Sequence, residues 1–410
     1  MLQNDKFNSD PTHYDVAVVG GGPAGLATAI AVAQTGASTA LVARKIPYGD
    51  NRTTALLGGS IDFLEDLDVW RRCAAQAAAL RVMRLIDDTG RLVRAPEVKF
   101  SAEEIGADAF GFNTENRVLV AAMEERAAEL GNLTRYDDEA AEIVPNDSCV
   151  NIRAGQGHVL SASLVAGADG KHSRCREAAG ISVKRRLLDQ SALTFNVTHA
   201  RPHKNISTEF HTQHGPCVFV PLPGDQSSVV WVATPKEISR LAALSDEALG
   251  DAAERQSHSI LGRMQAQLGR HVFPLSIETP SALTARRIAL IGESAHALPP
   301  IGAQGLNLGL RDAADLARVV SSARAQREDI GSQQNLSRYA ISRQADIFTR
   351  TFAIDMANRT LLSELLPVQS LRALGMHLIG SVGPIRRLAM REGLSPSWRR
   401  PKALFNSAPL

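Results

Sequence analysis

The stretch that decides the fold is His13–Lys45, "HYDVAVVGGGPAGLATAIAVAQTGASTALVARK". An apolar, β-prone run at Val16–Val19 opens it, and a helical pattern follows up to Gly36, where that helix should end. A second apolar strand is predicted over Ser38–Val42. Strand, helix and strand in this order are typical of a βαβ unit with parallel strands.

A glycine-rich turn joins the first strand to the helix. Gly20, Gly22 and Gly25 form the pattern G-x-G-x-x-G at this point. Glycine permits the tight turn, lets a pyrophosphate approach the backbone, and lets the helix pack closely on the strand. Free N–H groups and the helix dipole favour the same anion. Because strand, helix and second strand all flank the pattern, it predicts a dinucleotide site.

The second strand lacks the acidic residue that usually holds the adenosine ribose. It ends at Ala43, followed by Arg44. Either other groups hold the ribose, or the adenosine end of the ligand is held less tightly.

Two later segments also place turn chemistry at a strand end. In "SLVAGADGKHSRCREAAGI" a weak strand, Ser163–Ala168, is followed by an Asp-Gly turn, which alone is an ordinary turn. In "RRIALIGESAHALPPIGAQGLNLGL" the strand Ile288–Ile291 stops at Gly292, and Glu293 follows. Ligands of open parallel sheets lie outside the carboxyl ends of the strands, so three such ends indicate one extended ligand.

Composition narrows the class of protein. The 410 residues suggest two or three domains, and a net charge of +2 argues against a nucleic-acid partner. The four cysteines have no metal-binding or CxxC spacing, so we predict no metal and expect free thiols in a reducing cytoplasm. No signal-peptide pattern or membrane-spanning apolar run is found, and we expect a cytoplasmic protein, with association to a membrane surface left open.

The second half of the chain changes in character twice. Residues 182–277 contain short β-like runs separated by turn signals, and these predict a separate sheet. The segment after residue 360 is apolar with interleaved arginines, and Pro367 and Pro384 should divide it into short helices. These helices either pack on the nucleotide domain or form a surface that contacts a membrane.

Three motifs, in this order, carry a family resemblance: "GGGPAG", "DGKHSRCR" and "GESAHALPPIGAQGLNLGLRDAADLA". They resemble the aromatic-ring flavoprotein monooxygenases of the para-hydroxybenzoate hydroxylase fold, over roughly residues 14–395. The third motif, "FGFNTENRVLVAAM" and "GPCVFVPLPGDQSSVVWVA" are most similar to the ubiquinone-biosynthesis hydroxylases.

The resemblance implies an α/β fold with a Rossmann-like, parallel-sheet FAD-binding domain, a β-rich substrate domain and a C-terminal helical segment. It places the FAD-binding domain at residues 14–75, 100–181 and 278–360. The substrate domain would comprise residues 76–99 and 182–277, and the C-terminal helices and tail residues 361–410.

The resemblance also implies site residues. The cofactor-binding residues would be Gly20, Gly22, Gly25, Arg44, Arg52, Asn116, Asp169, Gly170, Arg176, Gly292, Glu293, Pro300, Gly302, Gln304, Gly305 and Asn307. Of these, Arg176 is linked to NAD(P)H engagement, and Glu293 replaces the aspartate that binds the ribityl chain. Substrate walls would come from Val218, Phe219 and Pro221, although apolar strand residues lie in a core more often than in a site.

The implied activity is hydroxylation of an aromatic ring by an FAD-dependent monooxygenase. NAD(P)H would reduce the flavin, and O₂ would form a flavin hydroperoxide that attacks a polyprenylated phenol of ubiquinone biosynthesis. No catalytic residue is predicted, because the cofactor carries the chemistry. The alternatives are a hydroxylase of another aromatic metabolite, a reductase of prenyl double bonds, and a flavin-poor accessory protein of a biosynthetic complex. Ala43, Glu293 and the inverted order of Gly302 and Ala303 depart from the family pattern.

Overall fold

The structure is a computed structural model that describes residues 11–45, 51–91, 94–300, 302–363 and 365–394. The strands are β1 (Thr12–Val19), β2 (Thr39–Val42), β3 (Thr53–Leu57), β4 (Ala77–Ala79), β5 (Val82–Asp87), β6 (Val98–Ser101), β7 (Gly111–Glu115), β8 (Leu133–Tyr136), β9 (Ala140–Pro145), β10 (Val150–Ala154), β11 (Val159–Gly167), β12 (Val183–His199), β13 (Ile206–Thr212), β14 (Gly215–Leu222), β15 (Gln226–Ala233), β16 (Met264–Ala266), β17 (His271–Pro280), β18 (Thr284–Ala285) and β19 (Ile288–Leu290). The α-helices are α1 (Pro23–Gln34), α2 (Gly58–Asp66), α3 (Trp70–Cys73), α4 (Asn116–Ala128), α5 (Arg174–Ala178), α6 (Pro235–Ala242), α7 (Asp246–Gln256), α8 (Gln304–Ala325), α9 (Gln333–Leu362), α10 (Leu366–Ser381) and α11 (Gly383–Leu394). Short 3₁₀ helices lie at Ala74–Gln76, Ala102–Ile105 and Gly292–Ser294.

The first sheet has the strand order β18-β19-β11-β1-β2-β8, and β10 and β9 extend it from β11. Its central neighbours are parallel: β1 pairs with β2 and β11, β2 with β8, and β11 with β19. Val19 pairs with both Val42 and Gly167, and Gly167 pairs with Leu290. Four strand ends therefore stand side by side, and the predicted Rossmann-like parallel sheet is confirmed.

Alternation along β1 explains how this sheet is covered. Val16 and Val18 face a core shared with α1, α4 and α8, whereas Ala17 and Val19 face a second core shared with β10 and α5. Successive side chains of a strand point to opposite faces, so a continuous apolar run is what a strand covered on both sides requires.

The second sheet has the order β16-β12-β15-β14-β13-β5-β6, with β17 also paired to β12. One of its faces packs against α6 and α7 through a core that contains Phe195, Phe210, Phe219 and Trp231. The side chains that alternate with these core residues point to the other face of the sheet, which we call the inner face. It includes Thr194, Asn196, Val218, Val220, Ser228 and Val230. The β-rich second domain is therefore present. From the segment predicted at 76–99, β5 and β6 join this sheet, whereas β4 belongs to a third sheet. The predicted domain limits stay a prediction.

A small third sheet, of order β3-β7-β4, joins the two larger ones. Thr53 of β3 donates a hydrogen bond to the hydroxyl oxygen of Ser228 on β15, at 2.8 Å. Asn113 of β7 donates to the carbonyl of Pro221 on β14, at 2.9 Å. The inner face of the second sheet is thus turned toward β3 and β7.

The last three helices run along both domains. Tyr339, near the start of α9, donates to the carbonyl of Leu290 at 2.7 Å, and Asn358, near its end, donates to Gln190 of β12 at 2.9 Å. Pro367 lies in the first turn of α10, and Pro384 is the second residue of α11. The predicted division into separate helices is therefore observed as far as residue 394. The basic tail residues Arg399, Arg400 and Lys402 lie outside the described residues.

Candidate functional site

The first strand end is a turn whose geometry excludes side chains. Gly20 has a φ of +117°, and a Cβ on it would lie 2.2 Å from the carbonyl oxygen of Ala168. A Cβ on Gly25 would lie 2.0 Å from the carbonyl oxygen of Gly20. Gly22 is the N-cap of α1, and Pro23 follows as the first helical residue. The first-turn N–H groups of α1 are therefore held where an anion can bind them.

The end of β2 carries no acid, as the sequence indicates. Ala43 is buried, and Arg44 is exposed, with Nη1 3.5 Å from Oε1 of Glu139. A carboxylate reaches this corner from the neighbouring strand instead, because Asp137 follows β8 and accepts the Lys45 N–H at 2.6 Å. Asp137 could not be identified from the sequence, since its proximity to this corner depends on β8 lying beside β2.

The end of β11 is tied to a short helix by a carboxylate. Oδ1 of Asp169 accepts a hydrogen bond from the Ser173 hydroxyl at 2.5 Å, and Oδ2 accepts from the Cys175 N–H at 3.0 Å. Gly170 has a φ of +78°, the left-handed conformation that glycine adopts readily. Asp169 thus holds the start of α5, and its predicted contact with FAD stays a prediction.

Arg176 connects the turn after β11 with the turn after β19. It is only 5% exposed, and its guanidinium donates to the carbonyl of Ser294 at 3.0 Å and to that of Lys171 at 2.6 Å. The structure gives it a positioning role between the second and third motifs. The predicted engagement of NAD(P)H by Arg176 stays a prediction.

The turn after β19 packs against α1 and α8, and all three meet at Ala24 of α1. Gly292 has a φ of +64°, and a Cβ on it would lie 3.2 Å from Cβ of Ala24 in α1. A Cβ on Gly309 of α8 would lie 3.1 Å from the same atom. The Gly292 N–H donates to Asp312 at 2.9 Å, while Glu293 is exposed at the surface of the turn. Glu293 is therefore accessible to a ligand along this edge.

A buried group of charges lies behind this turn. Asp312 accepts from Arg343 Nε at 2.6 Å, and its other oxygen lies 2.7 Å from His296 Nε2. Arg343 also bonds Asp346 at 2.9 Å and Asp315 at 3.3 Å. Burial alone would raise the pKa of Asp312, but the charges of His296 and Arg343, together with the hydrogen bonds from His296 and the Gly292 N–H, lower it below its usual value.

The start of α8 has a strained backbone. Gly302 and Ala303 have φ values of +64° and +53°, and Ala303 is the N-cap of the helix. The inverted Gly-Ala order therefore places a side chain in a left-handed conformation, which costs about 1–2 kcal/mol. Gln304 donates to the Gly302 carbonyl at 3.1 Å, but its buried Oε1 has no partner among the described residues. Gly305 is exposed, and Pro300 is half-buried at the entrance to this turn.

Asn307 joins α8 to β3 and α2. Its Oδ1 accepts from the Leu57 N–H at 2.9 Å and the Ser60 hydroxyl at 2.6 Å, and its Nδ2 donates to the carbonyls of Ala55 at 2.8 Å and Ala303 at 2.6 Å. All four hydrogen-bonding positions of the amide are thus taken. The side chain positions the start of α8, and its predicted place beside a flavin ring stays a prediction.

Two further predicted residues meet at β3. The Asn116 N–H donates to the Arg52 carbonyl at 2.9 Å, and Asn116 Oδ1 accepts from Thr54 at 2.6 Å. The Arg52 side chain is exposed. The structure therefore brings Arg52 and Asn116 together beside the segment that Asn307 holds.

These turns form one edge that suits an extended anionic ligand. It begins at the glycine turn of α1, passes Glu293, and ends at the start of α8, whose free N–H groups and positive dipole end favour negative charge. A profile of the FAD binding domain matches residues 13–346 of the sequence. The chain belongs to this FAD-binding family.

Two relatives of this flavoprotein are named as hydroxylases. It is 28% identical to the ubiquinone hydroxylase UbiL of Rhodospirillum rubrum, over 93% of this chain and 89% of the relative. It is 29% identical to the 3-demethoxyubiquinol 3-hydroxylase of Escherichia coli, over 95% of this chain and all of the relative. The predicted resemblance to FAD-dependent aromatic hydroxylases is thereby confirmed.

A solved structure confirms the fold. The p-nitrophenol 4-monooxygenase PnpA of Pseudomonas putida DLL-E4 superimposes with a TM-score of 0.77, covering 94% of this chain and 99% of that one, at 18% identity. The enzyme class predicted from the sequence, an FAD-dependent monooxygenase, is supported by the family and by the relatives' names.

The residues of this flavoprotein fit FAD. The backbone around Gly20 and Gly25 is packed so closely that only glycine fits at these positions. Because these residues lack side chains, a pyrophosphate can approach the backbone at the start of α1. At the other end of the edge, the unpartnered Oε1 of Gln304 beside the start of α8 offers an acceptor to a ligand N–H. The absence of an acid after β2 does not disturb either feature.

The predicted substrate walls lie on different faces of the second sheet. Phe219 is 1% exposed and packs edge-to-face on Phe210, with ring centroids 6.0 Å apart, in the core beneath α6 and α7. It therefore faces away from the flavin domain and is not positioned as a substrate wall. Val218 is half-buried on the inner face, and Pro221 meets β7 through its carbonyl.

The residues that do form the inner face were missed. Pairing aligns Asn196 with Ser228 and Val220, and Thr194 with Val230 and Val218, on three adjacent strands. The signal was present in "LTFNVT", Leu193–Thr198, where apolar and polar residues alternate strictly. Which of the two alternating sets faces the flavin depends on the register, and the sequence alone does not give it.

A cavity of about 150 Å³ continues the inner face beneath α9 and α10. Its walls are mostly apolar, but Asp87 and Arg372 form an ion pair of 2.6 Å across it, and His211 lies 2.9 Å from Glu209. His211 and Glu209 thus line this cavity as a pair. In the described ranges, no cluster of three or more His, Cys, Asp or Glu side chains able to hold a metal occurs.

Proposed function

We propose that this flavoprotein hydroxylates the aromatic ring of a polyprenylated phenol in ubiquinone biosynthesis, with O₂ as co-substrate and NAD(P)H as reductant. Two relatives that match the chain over nearly its whole length are named as hydroxylases of ubiquinone or its precursors. The intact glycine turns argue against a flavin-poor accessory protein.

The observation that carries the substrate class is a concentration of exposed apolar side chains in the last three helices and at Leu365, which precedes α10. Of the thirteen exposed large hydrophobic side chains in the described ranges, ten lie between residues 341 and 388. They are Ile341, Phe348, Phe352, Met356, Leu365, Leu371, Leu374, Leu378, Ile385 and Leu388. We call this set the apolar helix face. Such a concentration marks an interaction site rather than ordinary surface.

A lipid surface is the partner that fits this face. Residues 365–410 carry seven Arg or Lys side chains and a single acidic one, Glu392. Basic amphipathic helices lie in the membrane interface, where anionic lipids attract them. No helix in the described part of the chain is long and apolar enough to cross a bilayer. A polyprenylated phenol is insoluble in water, so an enzyme acting on it needs contact with the lipid that holds it.

The chain's own part in the reaction is to bind, orient and exclude water. Bound FAD supplies the redox chemistry, accepting electrons from NAD(P)H and activating O₂ for transfer to the ring. The start of α8 offers N–H groups to the charge that develops on the cofactor. The inner face of the second sheet would hold the aromatic ring over the cofactor and keep water out.

Turnover assays test the proposed substrate. Purified protein should be yellow, and a polyprenylphenol should stimulate O₂-dependent NAD(P)H consumption with formation of hydroxylated product. Loss of the quinone in a deletion strain, with identification of the accumulated intermediate, would name the position that is hydroxylated. If only water-soluble phenols couple NAD(P)H consumption to product, the ubiquinone assignment fails.

Vesicle flotation tests the lipid contact. Replacing both Phe348 and Phe352 with Ser should reduce co-flotation with anionic phospholipid vesicles, because their stacked rings, 6.4 Å apart, lie on the apolar helix face. Leu268→Ser is the matched control, since this side chain is at least as exposed as the two phenylalanines but lies on the other domain. Equal flotation of all three proteins would contradict the lipid contact while leaving the hydroxylase activity to its own test.

A further inference from the structure

Two polar residues on the inner face have hydrogen-bonding groups that the protein does not use. Asn196 is fully buried, and neither Oδ1 nor Nδ2 has a partner among the described residues. Thr194, two residues earlier on β12, has a buried hydroxyl that is also unpartnered within the described ranges. Leaving one buried polar group unpaired costs about 1–3 kcal/mol, so three such atoms on one strand call for a physical reason.

The direction of these side chains follows from their neighbours. Leu193, Phe195 and Val197 pack in the core beneath α6 and α7. Since successive side chains of a strand point to opposite faces, Thr194 and Asn196 point to the inner face. They therefore point toward the flavin domain and not into the helix-covered core.

Contacts across the inner face place Asn196 near the cofactor edge. Asn196 pairs with Ser228, whose hydroxyl accepts from Thr53 of β3 at 2.8 Å. Two residues along β3, the Ala55 carbonyl accepts from Asn307 in the first turn of α8 at 2.8 Å. One strand pair, two hydrogen bonds and a two-residue step along β3, of about 3.3 Å per residue, therefore connect Asn196 with the first turn of α8.

The neighbours of Asn196 on the inner face are mostly apolar. Val220 flanks Ser228 on β14, and Val218 and Val230 form the next row, so apolar side chains lie beside the unpaired amide. A primary amide offers both an acceptor and donors, and a phenol hydroxyl needs one of each. A site with few, well-placed polar groups in an apolar wall is typical of small-molecule pockets.

We propose that Asn196, assisted by Thr194, binds the hydroxyl oxygen of the substrate's aromatic ring and so sets which ring carbon faces the cofactor. This rests on the proposed function for the identity of the ring. A ring that carries the oxygen pairs these groups on binding, whereas a ring without it leaves them unpaired in the complex. The difference in binding free energy makes the site selective for the hydroxylated ring.

The test uses the FAD-loaded protein and two probes, a polyprenylphenol and the same molecule without the hydroxyl. Binding is followed by the change in flavin absorbance, and stability by thermal unfolding. Wild-type protein should prefer the phenol by about 10- to 100-fold, the factor expected for one hydrogen bond to a buried polar group. Asn196→Leu should lose that preference while keeping FAD and unfolding at the same or a higher temperature.

Two further variants sharpen the result. Thr194→Val should reduce the preference by a smaller factor, and it changes volume so little that folding is not in question. Thr208→Val is the matched control. Thr208 is buried on β13, and because it lies two residues from Phe210 its side chain points to the core beneath α6 and α7 and not to the inner face. It should bind both probes as the wild type does.

The outcomes separate the two proposals. An unchanged preference in both Asn196→Leu and Thr194→Val overturns the role of these residues. A lower unfolding temperature for Asn196→Leu also overturns it, because the amide would then be paired within the free protein. If the wild type binds no polyprenylphenol but couples turnover to a soluble phenol, the proposed substrate fails, and the same comparison is made with that phenol and its deoxy analogue.

Discussion

Arg343 and Asp312 form a fully buried ion pair in which Nε lies 2.6 Å from Oδ1. The pair links α9 to α8, and the second oxygen of Asp312 accepts the N–H of Gly292 in the third strand-end turn. The turn that presents Glu293 is therefore held by a charge network and not only by local backbone bonds.

Arg343→Leu should lower the free energy of unfolding by about 3–5 kcal/mol, because the remaining carboxylates of Asp312, Asp315 and Asp346 lose a buried counter-charge. Urea unfolding measures it. Arg240→Leu is the control, since its ion pair with Glu237 is exposed and should make no measurable difference. Similar stabilities of the two variants would show that the buried network contributes little.

Gly25→Ala should abolish FAD binding and destabilise the domain. A Cβ at this position would lie 2.0 Å from the Gly20 carbonyl oxygen, so either the turn or α1 must move. FAD retention after gel filtration and the unfolding temperature are the measurements. Gly131→Ala, where no atom lies within 4 Å of the added Cβ, should behave as wild type. Normal FAD content in Gly25→Ala would rule out the pyrophosphate turn.

Glu293→Ala should lower FAD occupancy without changing stability. The side chain is exposed and follows the buried Gly292, so its removal leaves the core intact. Fluorescence titration of the apoprotein with FAD gives the dissociation constant, which should rise. If FAD retention and turnover are both unchanged, Glu293 is an ordinary turn residue.

Val218 and Phe219 should respond in opposite ways to alanine substitution. Phe219→Ala removes a core side chain and should cost about 3–5 kcal/mol of stability, with little change in substrate affinity of the folded protein. Val218→Ala should leave stability nearly unchanged and weaken substrate binding by about tenfold, because it lies on the inner face. The reverse pattern would mean that the two faces have been assigned wrongly.

His211 should give the protein a stability that depends on pH. Burial lowers the pKa of His211, but the hydrogen bond and charge of Glu209 outweigh burial and raise it above the ordinary 6.5. A raised pKa in the folded state means that the stabilisation is complete below pH 6.5 and is lost as pH rises through the folded value. NMR titration and unfolding at several pH values measure it, and Glu209→Gln should remove the effect. An unshifted His211 titration would contradict the pairing.

The first sheet was predictable because its signals are local. Val16–Val19, the glycine turn and Gly36 specify strand, helix and stop within one segment, and the structure has β1 and α1 there. The strand expected at Ser163–Ala168 is longer, Val159–Gly167, because its first half pairs with β10 in an antiparallel hairpin that periodicity did not reveal.

The site was predicted unevenly for a related reason. Positions fixed by backbone chemistry, such as Gly20 and Gly292, could be identified from the motifs. Side-chain roles could not, since Asn307 is saturated by partners up to 252 residues away in the chain. Phe219 and Asn196 show the same limit, because which alternating set of a strand faces the ligand depends on tertiary packing.

The helix α9 has a mechanical consequence. Its 30 residues make a rod about 45 Å long. One end is locked to the flavin domain by Arg343, and the other crosses the second sheet at Asn358, while Phe348, Phe352 and Met356 face outward between them. If lipid binds that outward side, the rigid helix α9 would fix the height and tilt of the whole molecule relative to the bilayer. The distance from the membrane to the inner face would then be constant. The smallest number of isoprene units with which a substrate still reaches the site would measure that distance.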